Sequence, residues 1–132
     1  MPRGVDVNPA KWTNKIILYD DGVYSVCWGN YEGSSSRRLG VRWNDNYPRQ
    51  GNNPTWYVEY DLFHRHFILM LKSFLEEAKK VKNRPFFLNP NQTISAELSD
   101  KEIEDFLKSC QIALLEIEKE AILNLDKKSL LT

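Results

Sequence analysis

The first half of the chain alternates between apolar and polar residues with a period of two, which is typical of strands with two different faces. Four such runs fall at 15–19, 23–28, 37–44 and 55–59. The first two are separated by Asp20, Asp21 and Gly22, a tight-turn signal, because glycine accepts a positive φ at little steric cost. These runs predict a four-stranded antiparallel sheet, mostly a meander.

The third run has the most regular alternation. Leu39, Val41 and Trp43 fall on one face of the predicted strand, and Arg38 and Arg42 fall on the other. Such a pattern is typical of a strand with one buried face and one solvated face. We therefore expect Trp43 to lie in the core and the two arginines to lie in solvent.

The period changes after residue 60, where apolar residues begin to recur at helical spacing. A first helix is predicted over 61–82, with Asp61 as its N-cap and lysines in its last turn. Its apolar stripe comprises Phe63, Phe67, Met70, Leu71, Phe74, Ala78 and Val81.

A second helix is predicted over 99–125. Ser99 and Glu102 have the spacing of a capping box, and Leu98 with Ile103 has the spacing of a hydrophobic staple. Its apolar positions form a stripe that is wider than one face of a helix needs. A homodimer through this surface and simultaneous packing on the sheet and the first helix are both consistent with that width.

These elements predict a single α+β domain with both amphipathic helices packed on one face of the sheet. Its parts are a tail at 1–13, the sheet at 14–60, the first helix at 61–82, a connection at 83–98, the second helix at 99–125 and a frayed tail at 126–132. The sheet side of the core is predicted to comprise Tyr24, Val26, Trp28, Leu39, Val41, Trp43 and Val58. The helix side is predicted to comprise Phe67, Met70, Leu71, Phe74, Phe106, Leu107, Leu114 and Ile117.

Charge and cysteine content restrict the function classes. The 18 lysines and arginines balance 18 aspartates and glutamates, so no global field attracts a polyanion. Cys27 and Cys110 fall in apolar runs and are expected to be buried, reduced thiols. The sequence opens without an apolar signal segment and contains no run long enough for a membrane span. We expect a soluble cytoplasmic protein that does not associate with a membrane.

No recognisable catalytic, cofactor or metal motif is present. His64 and His66 are two residues apart on a predicted helix, whereas metal-binding pairs on helices use spacings of three or four. We therefore predict no metal, no cofactor and no catalytic residue. One alternative remains open, a small enzyme with an unrecognised pocket built from His64, Glu59 or Cys27.

The unusual local feature is a cationic, aromatic region in the middle of the chain. Between residues 33 and 56 four arginines face one aspartate, and aromatic residues lie among them. Whether Trp43 and Trp56 are core or surface residues decides how this region is used. The candidate ligand-binding residues are Arg37, Arg38, Arg42, Tyr47, Arg49 and Trp56.

This composition favours a non-enzymatic binding or interaction module that uses the sheet face and the loop at 45–53. Arginines beside aromatic rings suit an acidic protein partner or an anionic ligand. They also suit single-stranded nucleic acid, whose bases stack on aromatic side chains. These partners remain alternatives at this level.

The same region carries a resemblance. The run LGVRWN at 39–44, the Tyr47-Pro48 dipeptide and the run PTWYV at 54–58 resemble a pattern in small uncharacterised bacterial proteins. Some of these proteins resemble products of mobile gene cassettes. The resemblance covers about the middle third of the chain and implies no particular activity.

The predicted topology is also similar to that of the single-strand-binding transcriptional coactivators, which bind DNA as dimers. The similarity concerns the fold alone. The present chain departs from that fold by its balanced charge and its second helix.

Overall fold

The computed structural model of the protein describes residues 4–44, 48–50, 53–80 and 98–131. The elements are β1 (Trp12–Asp20), β2 (Tyr24–Tyr31), β3 (Arg38–Trp43), β4 (Arg49–Gln50), β5 (Asn53–Pro54), β6 (Tyr57–Val58), α1 (His64–Lys80) and α2 (Asp100–Leu131), with short 3-10 helices at Gly4–Asp6 and Asp61–Phe63. Strands β1, β2, β3 and β6 form an antiparallel sheet in that order, and β4 and β5 pair separately. The predicted α+β fold with a four-stranded antiparallel meander is confirmed.

The turn between β1 and β2 forms where the sequence predicts it. Gly22 has a φ of 90°, a conformation that other residues rarely adopt. The carboxylate of Asp21 accepts hydrogen bonds from the backbone N–H groups of Val23 and Tyr24, both at 2.8 Å. The turn is therefore fixed by glycine geometry and by a side chain that replaces missing backbone partners.

Both helices cover one face of the sheet, and the main core lies between them and the strands. From β2 this core receives Val26 and Trp28, and from β3 it receives Leu39 and Val41, as predicted. The buried residues contributed by the two helices are Ile68, Leu71, Leu75, Ala78, Ile103, Phe106, Cys110 and Ala113.

The opposite face of the sheet is also covered, and this was not predicted. Val7, Trp12, Cys27 and Trp56 are buried together there as a second apolar cluster. The Nε1 of Trp56 donates to the carbonyl oxygen of Val7 at 3.0 Å, which joins the N-terminal segment to the segment before β6. Two pieces of chain without long regular structure therefore cover this face.

The expectation of a solvated face on β3 is wrong for Arg42, which is only 2% exposed. The covering segments enclose its side chain, and its guanidinium donates to backbone carbonyls of those segments. Val58 was predicted to belong to the sheet side of the main core, but it pairs with Gly40 and packs against the second cluster on the opposite face. Of the two tryptophans in question, Trp56 is a core residue.

Trp43 was predicted to be buried, but it is 47% exposed. It lies at the end of β3, where its ring packs against Tyr24 with 4.9 Å between ring centroids. Strand alternation assigned its face, but Trp43 is the last residue of β3 and does not belong to the main core. At the end of a strand, the sheet face on which a side chain lies does not determine whether that side chain is buried.

The apolar stripe of α1 is rotated relative to the prediction. Ile68 and Leu75 are buried, whereas Met70 is 59% exposed and Phe63 is also exposed. The predicted cap at Asp61 is wrong as well, because Asp61–Phe63 form a 3-10 turn that has Tyr60 as N-cap and no side-chain cap bond. Apolar residues occur on more than one side of this helix, so the sequence does not show which of its rows is buried most deeply.

The start of α2 agrees with the prediction. The backbone N–H of Glu102 donates to the Ser99 hydroxyl at 3.1 Å, and the backbone N–H of Ser99 donates to the Glu102 carboxylate at 3.2 Å. Leu98 and Ile103 are both buried, as a staple requires. The helix continues to Leu131 instead of ending near residue 125.

Several predictions concern residues outside the described ranges. These are the predicted site residue Tyr47, most of the loop at 45–53, Val81 and most of the connection at 83–98.

Candidate functional site

A cleft opens between α2 and the turn that joins β2 to β3. One part has a volume of about 490 Å³, and an adjoining hollow beside the Asp61–Phe63 turn has about 310 Å³. Both parts are lined by Trp28, Ser36, Arg37, Glu120 and Asn124. The cleft exists because α2 extends past the edge of the main core and continues above the β2–β3 turn.

Glu116 connects α2 to the sheet within this cleft. One carboxylate oxygen accepts a hydrogen bond from Trp28 Nε1 at 3.3 Å, and the other lies 3.4 Å from Arg37 Nη1. A carboxylate held by an indole and a guanidinium has a defined orientation. Glu116 thereby links α2 to strand β2 and to the turn between β2 and β3.

Arg38 lies on the other side of the cleft and forms an ion pair with Asp61 through Nη2. Its Nε is buried and has no hydrogen-bond partner among the described residues. A buried donor without a partner costs roughly 1–3 kcal/mol. The guanidinium of Arg38 therefore has hydrogen-bonding capacity that Asp61 does not use.

His64 is buried at the inner end of the same region. Its ring packs edge-on against Trp28 with 5.5 Å between centroids, and Nε2 lies 3.1 Å from the carbonyl oxygen of Glu59. Burial lowers the pKa of His64, and this outweighs the opposing influence of the Glu59 carbonyl and the Asp61 carboxylate. The ring is therefore neutral near pH 7 and donates its Nε2 hydrogen to Glu59.

Charges of both signs line the cleft in balance. Each arginine faces a carboxylate, and Lys119 and Glu120 of α2 add one charge of each sign. The cations are Arg37, Arg38 and Lys119, and the anions are Asp61, Glu116 and Glu120. A cleft with this lining suits a small ligand better than a continuous polyanion, which would meet three carboxylates.

The structure divides the predicted site residues into separate groups. Arg37 and Arg38 line the cleft together. Arg42 and Trp56 are buried on the opposite face of the sheet. Arg49 is exposed in β4 and does not line the cleft. The prediction of a ligand-binding role at the surface is therefore wrong for Arg42 and Trp56, which are buried.

Two of the residues named for an enzymatic pocket, His64 and Cys27, do not lie together. His64 packs on the helix side of the sheet, whereas Cys27 belongs to the cluster on the opposite side. Burial also raises the pKa of the Cys27 thiol, which keeps the sulfur protonated and unreactive. Within the described part of the chain, no group of histidine, cysteine and acidic side chains could hold a metal ion.

Trp28 and Glu116 are in contact within the cleft, and neither was among the predicted site residues. Trp28 was predicted to be a core residue. Their contact joins positions 88 residues apart. No local pattern indicates such a pair, because the contact depends on how far α2 extends across the sheet.

The described elements define a class by architecture: a small α+β domain with a four-stranded meander covered on both faces. The chain matches no family model, no curated protein and no solved structure. The resemblance to small bacterial proteins therefore stays a prediction. None of the described helices is long and apolar enough to cross a membrane.

Proposed function

We propose that the protein is a non-enzymatic binding module whose cleft accepts a small ligand bearing a carboxylate or phosphate group. The observation that carries this proposal is that Arg37 and Arg38 line the same cleft, where each guanidinium contacts its carboxylate partner through a single Nη nitrogen and has further donors. Arginine presents five donors in a fixed planar arrangement, and a ligand oxygen beside Arg38 would satisfy one of them.

Arg37 supplies a second donor group in the same cleft. Its contact with Glu116 is long, at 3.4 Å, and its side chain is only 18% exposed. Charge-assisted hydrogen bonds are stronger when both partners are shielded from water. An anion between Arg37 and Arg38 would therefore interact with two partly desolvated guanidinium groups.

Single-stranded nucleic acid is the less favoured alternative. Arg42 and Trp56, which the nucleic-acid hypothesis requires at the surface, are both buried. The carboxylates of Asp61, Glu116 and Glu120 also oppose a chain of phosphates in the cleft.

The test uses the indole N–H resonance of Trp28 in an NMR titration. The probes are inorganic phosphate, acetate and a single-stranded oligothymidylate, each at constant ionic strength. We expect phosphate or acetate to shift this resonance saturably, because Trp28 shares Glu116 with Arg37.

Arg37→Gln together with Arg38→Gln should abolish the shift, and Arg65→Gln, at an exposed position of α1, should leave it unchanged. A resonance that does not respond to phosphate or acetate would contradict the proposal. A shift that survives the double substitution would also contradict it. A response only to the oligothymidylate, with steep salt dependence, would favour the nucleic-acid alternative instead.

A further inference from the structure

One carboxylate of the cleft has no partner within the described part of the protein. Glu120 lines both parts of the cleft, and none of the described residues forms a hydrogen bond or an ion pair with it. Glu116 and Asp61, the other two carboxylates, are each paired with an arginine of the cleft. Glu120 is therefore the acidic group that is available to a bound molecule.

The side of α2 that faces the cleft carries a row of hydrogen-bond acceptors. Glu116, Glu120 and Asn124 follow one another at intervals of four residues, so they lie in one row, and all three line the larger part of the cleft. Lys119 is adjacent to Glu120 in sequence, but adjacent side chains on a helix do not face each other. A cation that pairs with Glu120 would therefore come from a bound molecule.

The balance of charge indicates which kind of ligand fits. Among the described residues, three cations and three carboxylates line the cleft, so its net charge is zero. A ligand with an anionic group alone would leave the occupied cleft with a net negative charge. A ligand that also carries an ammonium group adds no net charge, and its ammonium group can donate hydrogen bonds to Glu120.

We propose that the ligand of the cleft is a zwitterion, whose acid group is bound by Arg37 and Arg38 and whose ammonium group is bound by Glu120. This inference rests on the proposed function, because the acid group occupies the same two arginines. The cleft wall also includes Trp28 and Leu123, whose apolar atoms would contact the carbon chain that joins the two charged groups. A volume of about 490 Å³ is within the range of small-molecule sites.

The test compares two probes that share an acid group and a carbon chain, 6-aminohexanoate and N-acetyl-6-aminohexanoate. Acetylation removes the positive charge, and the flexible chain lets the two ends adopt the separation that the cleft requires. Each probe is titrated against the indole N–H resonance of Trp28 at neutral pH and constant ionic strength. We expect 6-aminohexanoate to bind about two- to five-fold more tightly, because Glu120 is exposed and pairs at exposed positions are weak.

Glu120→Gln should abolish this preference and leave the binding of the acetylated probe unchanged. The matched control is Glu118→Gln, which removes the same charge from an exposed position of α2 outside the cleft and should retain the preference. Equal affinities of the two probes for the unaltered protein would overturn the inference and leave the proposed function intact. A preference that survives Glu120→Gln would overturn the inference in the same way. If neither probe shifts the resonance, both the inference and the proposed function are wrong.

Discussion

The Nη1 of Arg42 donates to the carbonyl oxygen of Thr55 at 2.5 Å, and the carbonyl of Pro48 lies 3.4 Å from the same nitrogen. A guanidinium is always charged, so burying it requires acceptors around it. Here backbone carbonyls provide them. Arg42 thus connects the segment before β6 to the sheet through a hydrogen bond.

We predict that Arg42→Ala lowers the free energy of unfolding by roughly 2–4 kcal/mol, because buried carbonyls lose their donor and a cavity forms. Urea unfolding monitored by circular dichroism measures the loss. Arg65→Ala, at an exposed position of α1, is the control and should change stability by less than about 0.5 kcal/mol. Equal effects of the two substitutions would contradict the structural role of Arg42.

Gly40 is required by close packing within the second apolar cluster. A Cβ at this position would lie 2.8 Å from the Cys27 sulfur and 2.9 Å from the Trp12 ring. We predict that Gly40→Ala destabilises the protein by about 1–3 kcal/mol, as overpacking does in other cores. Adding Cys27→Ala should recover part of this loss, because it removes one of the two clashes. Strictly additive effects in the double variant would show that the clash with sulfur does not matter.

His64 should make stability depend on pH. Its pKa in the folded protein lies below the ordinary value of 6.5, so the unfolded chain binds more protons between the two values. The free energy of unfolding should therefore fall as the pH decreases through 6.5, and this loss is complete below the folded-state pKa. We predict that His64→Gln reduces the decrease between pH 8 and pH 5.

The exposed His66 provides the matched control for this prediction. Urea midpoints measured across the same pH range for His66→Gln should follow those of the unaltered protein. If both substitutions reduce the pH dependence of stability equally, the burial of His64 is not the cause of that dependence.

Asp20 anchors the N-terminal segment. Its Oδ2 accepts a hydrogen bond from the Gly4 backbone N–H at 2.7 Å, and its Oδ1 accepts from the Gly22 N–H at 2.9 Å and from the Asn44 amide at 3.2 Å. We predict that Asp20→Asn costs roughly 1–3 kcal/mol, because an amide nitrogen would face a buried donor. Thermal unfolding checks the loss, and Asp105→Asn, at an exposed position of α2, should be neutral.

The elements of the fold were predictable because they depend on local patterns. The turn at Gly22 and the capping box at Ser99 are short-range signals, and both are present in the structure. The exposure of particular faces was not predictable. Arg42 and Trp43 follow the alternation of β3, but distant segments determine which of them is buried.

The cleft was only partly predictable. Arg37 and Arg38 were identified from local charge density, and both line it. Glu116 and Asp61, which hold them, come from α2 and from the turn before α1. Their pairing depends on the packing of elements far apart in sequence, which hydrophobic periodicity does not encode.

β1 is an edge strand, and its pairing with β2 is irregular between Thr13 and Ile16 and again between Ile17 and Tyr19. A long, straight outer strand is a template on which another molecule can add its own strand and begin a fibril. The two irregularities bend β1 away from that geometry. We therefore expect the backbone shape of the first strand to oppose the addition of a further strand at this edge.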